Sequence, residues 1–290
     1  MKLTDFLIKL TKIDRRVIYL ILAAVVILPL IFPTVERVRV MEPVEKLFNA
    51  VDTIPPHKAL IIDFDYEPQT QPELEPMGIA LLRHAFARHI KVLILSLYVQ
   101  PLGLAQKALT QVTEEFNSEA TSRADSIIYG RDYVFLGWQP PPLIPMLGMG
   151  VSITNVYQHD YYGNKTDTLE IMQGIKNYND IALLVSLSGS SLPKSWVAYS
   201  QNRFGVAVAA GVTAVSAADF YQFYQTGQFT GLMTGMKGGA EYEEMVESKL
   251  GIKKKRKASE ALPSLTYAHL VIIIFIIIGN IGYFIKRRSK

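Results

Sequence analysis

Apolar residues dominate two long stretches, one near each end of the chain. They run from Val17 to Phe32 and from Leu265 to Ile285. A helix rises about 1.5 Å per residue and needs about 20 apolar residues to cross roughly 30 Å of hydrocarbon. The second stretch has that length, and the first is near the short limit. We therefore predict two transmembrane helices. Because no small-residue cleavage site follows the first, we interpret it as an uncleaved signal anchor.

Between these stretches, short apolar runs alternate with segments of helical periodicity. Five runs have the composition of buried strands and lie at 57–66, 91–98, 133–138, 180–188 and 205–215. Helical spacing covers 74–89, 101–116, 193–203 and, broken by glycines, 219–247. Apolar strands separated by helices are typical of parallel βαβ units. The pattern predicts an α/β fold with a doubly wound, mostly parallel, Rossmann-like sheet of about five strands.

These elements divide the chain into seven segments. We predict a basic tail at 1–16, a transmembrane helix at 17–34, a linker at 35–56, an α/β domain at 57–250, a basic linker at 251–264, a second transmembrane helix at 265–285 and a basic tail at 286–290. The domain includes a Pro, Gly and Met-rich excursion after the third strand, which we do not expect to form a regular helix.

Composition and charge exclude several classes of function. The chain has 290 residues and no cysteine, which excludes disulfides, thiolate metal sites and thiol catalysis. Its net charge of +4 comes from the two basic tails, and the segment between the spans is net negative. A nucleic-acid partner is therefore not expected. The KKKRK run at 253–257 either meets anionic lipid or forms a solvated linker.

The orientation of the spans is predicted from the Lys and Arg residues that flank them. These residues are equally frequent in the tails and in the flanks that face the domain, so a simple count does not decide the orientation. The first span usually dominates the orientation, and its N-terminal flank is the more basic one. We therefore predict an integral membrane protein with both termini in the cytoplasm and the domain outside. His269 and Asn280 are polar residues in or near the second span and favour self-association or another membrane protein as partner, besides the bilayer itself.

The first candidate site is acidic and follows the first strand. Alternation along the strand places Asp63 and Asp65 on one side, with Glu67 just beyond its end. Converging carboxylates of this kind could hold a hard cation, which makes these three residues metal candidates. The alternative is that they cap and solvate a loop.

The D-x-D pattern after a hydrophobic strand also resembles the first motif of haloacid-dehalogenase-type phosphatases. The resemblance implies that Asp63 is a nucleophile and Asp65 an acid/base, and it would make Lys194 the lysine of the third motif. The hydroxyl of the second motif would come from Ser186 or Ser188. The sequence departs from the family at Glu67, where a small Thr or Val is expected, and the late acidic pair is reduced to a single Asp219.

The second candidate site lies where the fourth strand ends, in the sequence LSGSSLPKSW. It comprises Ser188, Gly189, Ser190, Ser191 and Lys194. Free amides before a helix, together with hydroxyls and a lysine, suit a phosphate or carboxylate ligand. Ordinary helix capping explains the same serines.

The third candidate segment is rich in glycine. Gly231, Gly235, Gly238 and Gly239 would allow close backbone approach, either in internal packing or at an interface between copies of the domain or with the membrane. Lys237 is followed by two glycines rather than Ser or Thr, so the segment does not form a phosphate-binding Walker loop.

The chain as a whole resembles a family of uncharacterised prokaryotic membrane proteins with an α/β domain between two terminal transmembrane helices. The segments that carry the resemblance are IDFDYEP, DYVFLG, KNYNDI, GVAVAAGVTAV, GLMTGMKGGAEYE and the closing AHLVII and GNIGYF. The resemblance implies the architecture and no activity.

Two functional hypotheses follow. We favour a membrane-anchored domain that is a non-catalytic ligand-binding or scaffolding component of a membrane assembly, because no complete catalytic set is visible. The alternative is a membrane-tethered, metal-dependent phosphohydrolase that uses Asp63 and Asp65. The alternative requires these acids, a serine of the fourth strand and Lys194 around one cavity. No cofactor is indicated by the sequence.

Overall fold

The structure is a computed structural model that describes residues 14–34 and 37–288. It divides into two compact units. The helical unit contains the described residues before position 37 and those from Ser259 onward, and the α/β unit runs from Arg37 to Ala258. The α/β unit therefore extends beyond the predicted 57–250 at both ends.

The described residues form helices along the whole chain. In order they are α1 (Arg15–Ile31), α2 (Glu42–Asp52), α3 (Gln71–Ala87), α4 (Leu102–Asn117), α5 (Leu143–Gly148), α6 (Ile153–Val156), α7 (Leu192–Trp196), α8 (Asn202–Phe204), α9 (Ala217–Gln225), α10 (Gly235–Leu250) and α11 (Lys257–Arg288). One π-helical turn, Val197–Gln201, joins α7 to α8.

The α/β unit is built on a parallel sheet. Its strands are β1 (Ala59–Asp65), β2 (Lys91–Leu95), β3 (Tyr133–Gly137), β4 (Ile181–Ser188), β5 (Val208–Val212) and β6 (Phe229–Thr234). They are arranged in the order β3-β2-β1-β4-β5-β6, and every pairing is parallel. This is the strand order of a doubly wound fold whose topological switch point lies between β1 and β4. The predicted α/β class and parallel sheet are confirmed.

The prediction of about five strands, with a broken helix over 219–247, missed β6. Residues Phe229–Thr234 pair with β5 at the edge of the sheet. A glycine at position 231 permits this packing, because a Cβ there would lie 2.5 Å from the Cβ of Leu47 in α2. The short, glycine-containing run therefore forms a strand that a helix covers.

The predicted linker at 35–56 contains a helix of the α/β unit. Helix α2 buries Val44, Leu47, Phe48 and Val51, which recur at helical spacing on one face. It begins with an acidic residue followed by proline, which is a typical N-terminal sequence. The sequence 42–52 thus has an amphipathic pattern that the linker interpretation overlooked.

Apolar side chains cover both faces of the sheet. One cluster contains even-numbered β1 residues such as Leu60 and Ile62, packed with α2, α3 and α10. The other contains Ala59 and Ile61 and includes Tyr157 and Trp196. The predicted excursion after β3 contributes to this second face through α5, α6 and short 3₁₀ turns. Asp63 and Asp65 share the parity of Ala59 and Ile61, so they face the excursion.

The basic run at 253–257 is bound by carboxylates of its own domain. Lys254 pairs with Glu119, and Arg256 donates to Glu244 at 2.8 Å and to Glu247 at 3.1 Å. Lys257 pairs with Glu75 at 3.2 Å. These contacts tie the run to α3, to α10 and to the turn that follows α4, so Lys254, Arg256 and Lys257 form ion pairs within the α/β unit.

The helical unit contains the two apolar helices. The segment Lys257–Ile285 of α11 is long and apolar enough to cross a membrane, with a mean hydropathy of 2.4. Helix α1 has 17 residues, about 26 Å, and is shorter than the usual span. The Ser264 hydroxyl donates to the Val26 carbonyl at 2.8 Å, so the two helices are in contact. The predicted N-terminal tail lies mostly outside the described residues.

Candidate functional site

The candidate site lies where β1 and β4 end side by side at the topological switch point. Asp63 is aligned with Ser186, and Asp65 with Ser188. Because the strands are parallel, their carboxyl ends share one edge of the sheet, and in doubly wound folds ligands bind outside this edge. The structure therefore brings the acidic strand end and the serine-rich strand end together, as the parallel arrangement implies.

Asp63 is completely buried and held by two donors. Its Oδ2 accepts hydrogen bonds from Trp196 Nε1 at 2.6 Å and from Ser186 Oγ at 2.8 Å. The indole comes from α7, directly after β4. The strand and its following helix thus fix one oxygen of the carboxyl group.

Asp65 lies one step nearer the surface and is 6% exposed. Its Oδ1 accepts from Ser96 Oγ and from the Leu97 amide, both at 2.8 Å. Both donors follow β2, the neighbouring strand on the other side of β1. The two carboxyl groups are therefore anchored to opposite neighbours of β1.

The remaining oxygens, Asp63 Oδ1 and Asp65 Oδ2, are buried and accept from no donor group among the described residues. Burial, the charge of Asp65 and a hydrogen bond to it raise the pKa of Asp63 well above its ordinary value. Burial also raises the pKa of Asp65, but hydrogen bonds from Asp63 and Ser96 oppose this effect. Two interacting buried carboxyl groups favour a state with one proton between them, and the larger upward shift of the pKa at Asp63 makes it the member that the proton favours.

A small pocket opens beside this pair. Its volume is about 130 Å³, well above the ~15 Å³ that one water requires. It is lined by Asp65, Glu67, Gln69, Thr70, Tyr98, Pro101, Gly189 and Ser190. A Cβ on Gly189 would lie 2.7 Å from Cγ2 of Thr70, so only glycine allows the two walls this close approach.

The predicted anion site has a different environment from the one expected. Ser190 and Gly189 line the pocket together with two carboxylates, which disfavour an anion. Lys194 lies over the rings of Phe220 and Phe223, with Nζ 5.0 and 5.8 Å from their centroids, and is not among the lining residues of the described pocket.

The serines of this segment bond mainly to one another. Ser188 Oγ lies 2.9 Å from Ser190 Oγ, and Ser190 Oγ accepts from the Leu192 amide at 3.3 Å. Ser191 precedes α7, a helix of only five residues, and makes no side-chain cap. The hydrogen bonds within this turn therefore account for the presence of these serines.

The metal candidates are not assembled as a three-carboxylate set. Glu67 is exposed, and its Oε2 accepts a hydrogen bond from Gln69. Asp63 and Asp65 instead accept hydrogen bonds from Ser186 and Ser96, respectively. Within the described residues, no group of three or more His, Cys, Asp and Glu side chains could hold a metal ion.

The four glycines of the predicted interface are buried and pack within the α/β unit. Gly231 lies against Leu47, as described above, and Gly235 has a φ of +59° and adjoins Ala214. Gly238 packs against Met233, and Gly239 against Ala258. Internal packing accounts for all four positions without a second copy.

Several site residues were not predicted. Ser96 could have been noticed, because it is a polar residue at the end of a buried strand, as Asp65 is. Trp196 and Tyr98 gave no such signal, since aromatic residues are common in cores and loops. Tyr157 is also near the acid pair, whose charge, after burial, contributes to its strongly raised pKa.

No family model, curated protein or solved structure matches this chain.

Proposed function

We propose that the protein is a membrane-tethered binding component whose α/β unit holds a small ligand in the pocket beside Asp65. The observation that carries this proposal is the buried polar network under the pocket. It joins Asp63 and Asp65 to Ser96, Ser186 and Trp196 across three strands and a helix. The pocket lies at the switch point, where doubly wound folds place their ligands.

The sheet itself does not require this network. Positions 59 to 62 of β1 are apolar on both faces and equally buried. A buried carboxyl group costs several kcal/mol unless it is fully hydrogen-bonded, and apolar residues would avoid that cost. Buried acids with shifted pKa values beside a pocket are typical of functional sites.

A binding role fits the site better than hydrolysis. A carboxylate nucleophile must be ionised and accessible, whereas Asp63 is completely buried and its pKa is raised well above the ordinary value. Lys194, the third residue that the phosphohydrolase alternative needs, contacts two aromatic rings instead. These positions support the non-catalytic proposal over the phosphohydrolase.

The proposal includes a membrane topology. Helix α11 supplies one candidate span, and we propose α1 as the second, with both termini in the cytoplasm and the α/β unit outside. The apolar side chains of α1 are largely exposed, and its contact with α11 through Ser264 supports a pair of spans.

A role in scaffolding through self-association or a second membrane protein stays a prediction. Asn280 Nδ2 donates within its own helix, to Ile276 O at 3.0 Å.

The test is a small-molecule screen on the full-length protein in detergent, read by the indole NMR signals of its two tryptophans, Trp138 and Trp196. A ligand in the pocket should shift the Trp196 signal, because its Nε1 is bonded to Asp63. The variant Ser190→Phe fills the pocket from an exposed wall position and should abolish the shift. Ligands that bind equally well to this variant would overturn the proposal.

A further inference from the structure

The pocket beside Asp65 has an acidic lining. Asp65 and Glu67 are carboxylates, and its other lining residues are uncharged. In the described part of the chain, neither carboxylate forms an ion pair, although many others do. The negative charge at this edge is therefore not neutralised by the fold.

The uncharged lining residues include hydrogen-bond acceptors and an aromatic ring. Ser190 Oγ and the Gln69 side-chain oxygen can accept hydrogen bonds, and Tyr98 and Pro101 provide apolar surface. Tyr98 is about half exposed and lines the pocket, so its ring is a candidate partner for a cation–π contact. Asp65 Oδ2 is buried and has no hydrogen-bond partner among the described residues.

We propose that the pocket binds the primary ammonium group of a small organic cation, and this inference rests on the binding function proposed above. An ammonium group has three N–H donors and no acceptor, which suits carboxylate and hydroxyl oxygens. Its charge would compensate Asp65 and Glu67, and its carbon chain would lie against Tyr98 and Pro101.

Other cations fit the described pocket less well. A quaternary ammonium group has no N–H to donate and is usually held by several aromatic rings, whereas Tyr98 is the one aromatic residue that lines this pocket. A hard metal ion requires several converging oxygen ligands, but no group of three or more His, Cys, Asp and Glu side chains among the described residues could hold one, and Asp63 Oδ2 already accepts from Trp196 and Ser186.

The experiment compares three small probes of similar size and different charge. Ethanolamine, ethylene glycol and glycolate are titrated into the full-length protein in detergent, at constant ionic strength set with tetramethylammonium chloride. The readout is the Trp196 indole signal, with Trp138 as the internal reference. For so small a probe we expect binding in about the millimolar range.

The proposal predicts that ethanolamine alone shifts Trp196 in a saturable way. Glu67→Gln should weaken its binding about tenfold, as expected when a charged hydrogen bond is lost. Glu67 is exposed, so this variant is expected to fold, and Asp65→Asn provides a second, stronger test. Glu114→Gln, an exposed change near the far end of α4, should bind like the wild type.

Two outcomes would overturn the proposal, and they differ in what they say about the binding function. If ethylene glycol or glycolate binds and Ser190→Phe abolishes that binding, the pocket is a binding site but the ammonium class is wrong. If ethanolamine binds equally well to Glu67→Gln and Asp65→Asn, the cation does not use this pocket. A failure of the binding function itself would appear in the separate screen, as ligands that ignore Ser190→Phe.

Discussion

At the scale of single residues, the central feature is a pair of buried acids inside a parallel sheet, both with raised pKa values. Burial raises the pKa of Asp63 well above its ordinary value, whereas donation from Ser96 and the Leu97 amide opposes the upward shift of the pKa at Asp65. An asymmetric environment thus separates two residues of the same type into an acid and a carboxylate.

This asymmetry predicts different effects for two matching substitutions. In Asp63→Asn, the amide can donate to Asp65 and still accept from Trp196, so we expect the free energy of unfolding at pH 7 to change by less than about 1 kcal/mol. Asp65→Asn removes the charged acceptor and should cost about 1 to 3 kcal/mol. Urea unfolding of the full-length protein measures both values. The reverse order would place the proton on Asp65.

The same pair predicts a dependence of stability on pH. The folded pKa of Asp63 lies above its ordinary value of 3.8, so between these two values the folded state binds more protons than the unfolded state. The contribution of Asp63 to the free energy of unfolding is therefore largest at low pH, and it is lost as the pH rises through the folded pKa. The difference in stability between wild type and Asp63→Asn should follow this curve. A difference that does not vary with pH would contradict it.

His84 predicts a pH effect of opposite sign. It is completely buried, with Nε2 3.1 Å from Asp52 Oδ1 and Nδ1 2.8 Å from the Tyr242 hydroxyl. Burial lowers its pKa from 6.5 to about 4, so its neutral form is the folded one. As pH falls from 6.5 to about 4, the unfolded state gains the proton first and up to about 3 kcal/mol of stability is lost.

The variant His84→Gln should lose this dependence on pH. The matched control is His57→Gln at an exposed position. Stability is measured by urea unfolding at a series of pH values between 4 and 7. The control His57→Gln should keep the wild-type dependence of stability on pH. If His84→Gln keeps it as well, His84 does not titrate as the structure implies.

At the scale of secondary-structure elements, Arg83 connects three segments. It is 3% exposed, forms a paired contact with the two carboxylate oxygens of Glu115 in α4 at 2.8 Å, and donates to the Lys255 carbonyl at 2.9 Å. The basic run that follows α10 is thus fixed to the domain by a backbone contact as well as by its own ion pairs.

Removing one partner of a buried ion pair is costly. Arg83→Met leaves Glu115 partly buried without its main partner, and we expect a loss of about 3 kcal/mol or more. The control is the exposed Lys107, which lies 3.9 Å from Glu75, a carboxylate that keeps Lys257 as a second partner. Lys107→Met should cost less than about 1 kcal/mol. Equal losses in a urea unfolding series would mean that the basic run is not held by Arg83.

The elements differ in how far the sequence predicts them. Strands β1 to β5 were predicted because each is a compact apolar run, and α3 and α4 because their apolar residues recur at helical spacing. The edge strand β6 was missed because its six residues include a glycine and its pairing depends on β5. Helix α2 carried a usable amphipathic pattern, but the nearby prolines favoured a linker.

The candidate site was predicted in the same uneven way. Asp63 and Asp65 were identified from their alternation after an apolar strand. The contact of Asp63 with Trp196 depends on the path of the chain from β4 into α7, and no local pattern in the sequence reports that path. The sign of the pocket's charge was also not predictable, because it depends on where the side chain of Lys194 lies in three dimensions.

At the scale of the whole molecule, the proposed topology can be tested with the cysteine-free chain as background. Single cysteines are introduced as Ser122→Cys in the α/β unit and Ser289→Cys near the C-terminus. In intact cells, a membrane-impermeant maleimide should label Ser122→Cys at once and Ser289→Cys only after the membrane is permeabilised. Labelling in the opposite order would place the α/β unit in the cytoplasm.

The most direct test of the acid pair is a pH titration of the Trp196 indole signal in the full-length protein. Trp196 Nε1 donates to Asp63 Oδ2 at 2.6 Å, so the signal reports the charge of this carboxyl group. The structure predicts no inflection near pH 3.8 and one at a clearly higher pH, which Asp63→Asn removes. An inflection near 3.8 would show two independent carboxylates and contradict the shared proton on which the site is built.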